Sequence, residues 1–443
     1  MRRSAGPEVT DPRAPATETA RPAEAAFRGL CAAVVVSEIG DWLLFIALPL
    51  YVLRASGSPL ATATVFLAEL APAVVVGTVC GPLLDRRGPG RLLTWLTAAQ
   101  ALVVLPLLWS APDRVWLVYA VAAVQAAITS LTVPAQQAVV PVIVTKRELS
   151  RANAIIEMAS NAARLAGSPL GGALLPVLGL RGLVLGDIAS FILSAAILAA
   201  LPTAPRPAAG ASASPRVSPS TAIIAGAGAI RRSRTLRAAL VISFLAAVAQ
   251  GLFLVLFVLF VLRSLHAGDQ LVGLLRGVQA IGGVLGGVLV AARLRRSSPR
   301  ALAVFGLTAF ATISAICWNS PGFTMAAWWY IVLFILVGVP ATVFSTGLVT
   351  GTQQASEPHL RGRVLSLLNV ADALGQGVGI LAAGVLSSVV ALSGLLNAQA
   401  GCYVACAIVA IALFGKPQVT TSGASRPLRG VGKVGDAPPR ASE

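Results

Sequence analysis

Glu38 and Asp41 stand three positions apart inside an apolar run, a spacing that sets two carboxylates on one face of a helix. Carboxylates so placed can take up and release protons or balance a cation. Six more ionisable residues interrupt such runs: Glu69, Glu157, Arg164, Asp187, Arg276 and Asp372. Each costs roughly 2.5 to 3.5 kcal/mol at the centre of a bilayer, so the whole set facing lipid would exceed a protein's margin of stability. They must therefore face one another, protein, or a water-filled cavity. Arg164 lies at about the depth of Asp41 in its own run and can pair with it. Glu69, Asp187 and Arg276 lie near run ends, where reaching to the interface or a structural pair accounts for them.

The elements that position these groups are membrane spans. Hydrophobic residues make up 56% of the chain and charged ones 12%, against roughly 25% charged in a soluble domain. Apolar stretches of about 20 residues, enough to cross ~30 Å of hydrocarbon, fall at 31–53, 61–84, 92–110, 116–139, 152–178 and 183–201. Six more fall at 236–262, 271–292, 301–318, 324–347, 364–388 and 395–414.

A net charge of +17 would suit nucleic acid, but the positions of the basic residues exclude that reading. Of 34 Lys and Arg, 28 fall in the termini and alternate loops on one side, and only Arg54, Arg114, Arg181 and Arg263 fall opposite. Such asymmetry places the basic side in the cytoplasm, predicts both termini there, and leaves no soluble basic domain for nucleic acid. Residues 1–27 lack the core of a cleavable signal and read as a disordered tail. A first bundle is expected over 28–201, a Pro/Ser/Ala-rich linker over 202–235 with a short amphipathic helix before Arg231, a second bundle over 236–414, and a tail over 415–443.

The chain looks duplicated. Gly77, Gly81 and Asp85 recur as Gly283, Gly287 and Ala291, Val133-Pro134-Ala135 as Val339-Pro340-Ala341, and Asn161 to Gly167 as Asn369 to Gly375. In this register Asp41 matches Gln250 and Arg164 matches Asp372, so equivalent positions carry unlike protonation chemistry, as a coupling device requires. The candidates for proton coupling are Asp41, Glu38, Arg164 and Asp372. Small residues at Ala166 to Gly179 and Ile281 to Val288 allow close helix approach. The five cysteines lie in apolar runs without metal-ligand spacing, and His266 and His359 fall in loops. Neither a metal site, a cofactor site nor an enzyme's catalytic set is expected.

GPLLDRRG, Gly81 to Gly88, resembles the loop between spans two and three of the major facilitator superfamily, and AGSPLGG, with Gly167, Pro169, Gly171 and Gly172, resembles the span-five motif of its drug:proton antiporters. The fragments EIGDWLLFIALPLYVLRASGSPLATA, VPAQQAVVPVIVTKRELSRANAI and PHLRGRVLSLLNVADALGQG resemble the macrolide and siderophore exporters of that superfamily. The resemblance implies an all-α protein of twelve transmembrane helices in two pseudo-symmetric six-helix bundles. It also implies that Asp85 joins a charge network latching the cytoplasmic face, with Gly81, Arg86 and Gly88 shaping the turn. Pro89-Gly90 displaces the later basic positions and leaves Arg91 to serve, while Ser168 is inserted into the span-five motif. Span four lacks the arginine of many such antiporters; Gln125 is its polar residue, so coupling is expected from the first-span acids. Gln125 and Gln250 are cavity candidates. The implied function is secondary active export of a small amphipathic organic compound by proton antiport through alternating access. The expected carrier is a monomer in the plasma membrane, and the alternative is a facilitator or importer of a small metabolite.

Overall fold

In a bilayer every backbone N–H must bond within its own segment, and among the described residues every regular element is helical. The computed structural model describes residues 20–76, 88–145, 148–201, 219–294 and 296–414. The first half contains α1 (Ala20–Ser56), α2 (Pro59–Val76), α3 (Pro89–Val104) and α4 (Trp116–Ile143). A bent helix, Leu149–Ala200, follows; Gly179, at φ 64° and ψ 178°, breaks it into α5 (149–178) and α6 (180–200). That left-handed φ is one that glycine adopts without a Cβ penalty. After α7 (Pro219–Arg232) come α8 (Arg234–Leu259), α9 (Asp269–Leu289), α10 (Pro299–Asn319), α11 (Ala327–Ala355), α12 (Arg361–Leu386) and α13 (Leu392–Leu413).

Ten of these helices are long and apolar enough to cross a membrane; the break at Gly179 makes one of them two, and the shorter α2 completes a set of twelve. Helix starts are written locally. Ser298 and Ser233 accept the Ala301 and Leu236 N–H groups as N-caps, and Pro299 fills the first helical position, where no N–H is needed. Leu102, Val177, Ile192, Phe305 and Ile408 remain exposed along the spans, as side chains against lipid must. Trp109, Trp116 and Trp328 stand exposed near helix ends, where an amphipathic ring suits the headgroup layer.

The halves repeat one packing plan. In the first, α1 runs along the bent helix, α2 packs on α4, and α3 on α4 and the bent helix; in the second, α8 runs along α12 and α13, α9 packs on α11, and α10 on α11 and α13. The halves meet where α5 crosses α9 and α2 crosses α12. Gly172 and Gly273 make the first crossing possible: a Cβ on Gly172 would run into the Asp269 carbonyl, and one on Gly273 into that of Ser168. At the second, Gly384 lies against Leu60 and Ala63.

Among the described residues the close glycine approaches between the halves lie away from the arginine-rich loops. The same polarity marks the core. One large apolar cluster fuses both halves on that far side, with Leu43, Phe66 and Phe191 from the first half and Phe257, Tyr330 and Ile380 from the second. Toward the basic side the core separates: Leu30, Leu92 and Val139 cluster within the first half, and Leu307, Tyr403 and Phe414 within the second. The far face is thus packed shut across the halves, while the described helices on the basic face pack within each half.

Candidate functional site between the two halves

The first half buries carboxylates around the middle of α1. Glu38 is half-buried and accepts a hydrogen bond from Ser160 Oγ of α5 at 2.8 Å. Asp187 of α6 is 1% exposed and occupies the space that Gly40 leaves free on α1; a Cβ on Gly40 would run into the Asp187 carboxylate. Among the described residues both Asp187 carboxylate oxygens are buried without a hydrogen bond of ordinary geometry, with Ser190 nearby. Asp41 lies within Coulombic reach of Glu38, of Asp187 and of Glu69 on α2. Gln125 of α4 reaches toward Asp41 but closes no hydrogen bond of ordinary geometry, and its amide atoms are buried. When ionised, Asp41 is repelled by each of the other three, so a change of charge on one of them is felt at Asp41.

Two guanidinium groups meet at the boundary between the halves. Arg164 Nη2 of α5 donates to Gln279 Oε1 of α9 at 2.6 Å, and Arg276 Nη1 donates to the same oxygen at 3.2 Å. Arg164 lies 4.9 Å from the Trp42 ring centre, and Arg276 lies 5.7 Å from that of Phe45 and 5.2 Å from that of Phe253. Among the described residues neither arginine joins an ion pair. One amide oxygen and three aromatic faces are their negative surroundings.

Beyond Gln279, within the second half, lies a small cavity lined by aromatic rings, aliphatic side chains, Ser314, Cys317 and three glutamines, Gln250, Gln279 and Gln399. Among the described residues no charged side chain lines it. On the far face the halves are tied by an ion pair of 2.6 Å between half-exposed Arg54 and the buried carboxylate of Asp269.

These positions revise several expectations. Arg164 leans on Gln279 and Trp42 instead of pairing with Asp41. Asp187 and Arg276 are buried inside the protein and do not reach to the interface. Depth is decided by packing: α6 is set against the middle of α1 by Gly40, and Arg276 is held inward by Gln279. Asp372 and Glu157 are exposed. Asp372 lies within Coulombic reach of Tyr403 in the second half, apart from its pseudo-symmetric match Arg164. Gln250 lines the cavity, whereas Gln125 belongs with the acids. Gly167 and Gly171 pack on Ile39 and Leu43 of α1, while Gly172 and Pro169 pack on α9, so the motif seats α5 on two partners. Gly88 has φ 77° just before α3, and Arg91 is exposed in its first turn. Gly81, Asp85 and Arg86 lie outside the described residues. Gln279 is a site residue outside the sequence-based expectations; its spacing of three from Arg276 sets both on one helix face.

A sequence profile described as Major Facilitator Superfamily matches residues 30–253 and again 239–435. The chain belongs to the major facilitator superfamily. Nucleoside transporter NupG has the same fold at a TM-score of 0.70 and 12% identity, over 88% of this chain and 100% of that one. A bacterial homologue of the iron transporter ferroportin in its inward-facing state superposes at 0.66 and 16% identity, over 88% of this chain and 99% of that one. Its outward-facing state with soaked iron superposes at 0.56 and 16% identity, over 87% and 98%. No curated protein sequence matches significantly.

This facilitator-superfamily protein is a multi-pass membrane transporter and not an enzyme. Among its described residues no group of three or more His, Cys, Asp or Glu is disposed to hold a metal ion. Its two matched stretches begin 209 positions apart, at residues 30 and 239, close to the spacing of the internal sequence matches.

Proposed function

We propose that this transporter exports a small amphipathic organic compound in exchange for protons, by alternating access through the plasma membrane with both termini in the cytoplasm. The observation that carries the proton half is that Asp41 lies within Coulombic reach of Glu38, Glu69 and Asp187, and that among the described residues none of the four joins an ion pair. Intramembrane carboxylates are retained at such cost where they relay protons or ions. The substrate half rests on the apolar, aromatic cavity beside Gln279.

An exporter and an importer both pass through a conformation closed on the outer face. With the arginine-rich loops in the cytoplasm, the fused core lies at the outer face and the separate clusters at the inner one, which in the export direction is the loading state. In the cycle proposed, substrate enters from the cytoplasm while the acids are ionised, and protons arriving from outside return the empty carrier.

Cells expressing the protein and preloaded with an amphipathic fluorescent compound should lose it faster when the medium is acidified. Accumulation on acidification would mark an importer and overturn the proposal. A cysteine placed at Ser214 in a cysteine-free chain should resist an impermeant reagent added to intact cells, and its labelling would reverse the topology.

A further inference from the structure

Two arginines stand where the halves part. The crossing of α5 and α9 runs from Gly172 and Gly273 to Gly277, where a Cβ would meet Pro169 and the Leu165 carbonyl. Farther toward the basic side, Gly282 and Gly286 of α9 lie against α11 of their own half. Arg164 and Gln279, both half-buried, fall at this inner end of the crossing, and Arg276, 7% exposed, lies one turn deeper on α9. The bridge they form thus heads the side on which each half packs by itself.

Its charges are unbalanced. Arg164 and Arg276 lie within Coulombic reach of each other and donate to one neutral oxygen, Gln279 Oε1. Among the described residues neither joins an ion pair, and Arg164 Nε is buried without a hydrogen-bond partner. The acids of the first half are engaged elsewhere: Glu38 takes the Ser160 hydroxyl, and Glu69 and Asp187 stand within reach of Asp41. Like charges sheltered from water repel strongly, and an amide oxygen cancels neither. The group that balances two guanidinium forks is an oxyanion, whose paired oxygens accept parallel N–H bonds.

We infer that Arg164 and Arg276 bind the carboxylate of a small amphipathic carboxylic acid, taken up in its ionised form from the basic side. The carboxylate oxygens accept from the guanidinium groups, and the apolar remainder extends into the opening between the halves. The inference deepens the export proposal by naming its substrate class, and it rests on that proposal for the use made of the site. Recognition of the carboxylate is independent of transport direction.

Calorimetric titration of the purified full chain in detergent tests it with three probes of one skeleton: phenylacetate, the neutral phenylacetamide and the cation phenethylammonium. Inorganic phosphate is the fourth probe, an oxyanion without an apolar part. Phenylacetate should bind at least about tenfold more tightly than the amide or the cation, the effect of one to two charge-assisted hydrogen bonds. It should also bind more tightly than phosphate. In Arg164→Gln the advantage of phenylacetate over phenylacetamide should shrink at least about tenfold while phenylacetamide binding is unchanged, a loss of charge selectivity that a merely structural arginine would not produce. In the wild-type chain, absence of phenylacetate binding, equal affinity for phenylacetate and phenylacetamide, or tightest binding of the cation overturns the inference whatever the variant does. Tighter binding of phosphate overturns the organic acid as ligand, and an advantage that survives unchanged in Arg164→Gln overturns the site. Because no gradient is involved, a chain that selects phenylacetate yet fails to export leaves this inference standing and removes the export proposal; the reverse pattern separates them the other way.

Discussion

The two halves repeat one helix order and one packing plan, yet α1, α2 and α6 of the first bring together Glu38, Asp41, Glu69 and Asp187, while α8 to α11 and α13 of the second enclose rings and glutamines. At matching register positions Asp41 titrates and Gln250 cannot. Duplication preserved the scaffold because the scaffold depends on small residues at crossings and apolar residues between them. The polar interior was free to diverge, since exchanging a carboxylate for an amide changes chemistry at nearly constant volume. Under the proposed function, proton handling and substrate recognition are housed in different halves, which meet at the Arg164–Gln279–Arg276 bridge.

The largest expected effect breaks the acidic half alone. Asp41→Asn should reduce gradient-driven export in proteoliposomes to the level of empty vesicles while leaving substrate binding intact. Because Arg164 is held by Gln279 and Trp42, the double variant with Arg164→Gln should stay inactive. Restored export in the double variant would make Asp41 a counter-ion and dissolve the division of labour.

Next in size is the crossing that both halves share. Gly172→Leu would force atoms into the Asp269 backbone, and overpacking of this kind costs about 1–3 kcal/mol. The closed outer face should lose occupancy roughly tenfold or more on that scale, seen as faster labelling of cysteines on the outer side. Unchanged labelling would mean the glycine contact does not hold that face shut.

A smaller change is expected from Arg54→Gln, which leaves the buried Asp269 carboxylate without its partner. Arg54 is half in solvent, where screening holds an ion pair to about 1 kcal/mol, so a few-fold rise in outer-face labelling is the expected scale. An effect as large as that of Gly172→Leu would shift the main closure from packing to charge.

Glu38→Gln should be mildest. The amide oxygen can keep the Ser160 hydrogen bond of 2.8 Å, and a single neutral bond is worth about 1 kcal/mol, so export should fall no more than about twofold. Loss as complete as in Asp41→Asn would make the two carboxylates one inseparable unit.

Span number and the two-bundle plan were legible in the sequence, because the lengths of apolar runs and the internal matches are local properties of the chain. So was the suspicion that buried charges matter, since the cost of placing a charge in lipid needs no structure to state. Gly179 could be read as part of a small-residue stretch, but its left-handed φ of 64° and the resulting separation of α5 from α6 belong to the fold.

Partnership was decided only in three dimensions. Asp41 and Arg164 lie at similar depths, yet depth along a helix leaves its rotation and neighbours open. The crossing of α5 with α9 delivers Arg164 to Gln279, and Gly40 admits Asp187 of α6 to the acids of α1. Composition and periodicity determined that the chain lives in a membrane as helices and that its few charges had to be sheltered. Which charges share a shelter, and which arginines share one amide oxygen, depended on helix contacts between residues more than a hundred positions apart, such as Arg164 and Gln279.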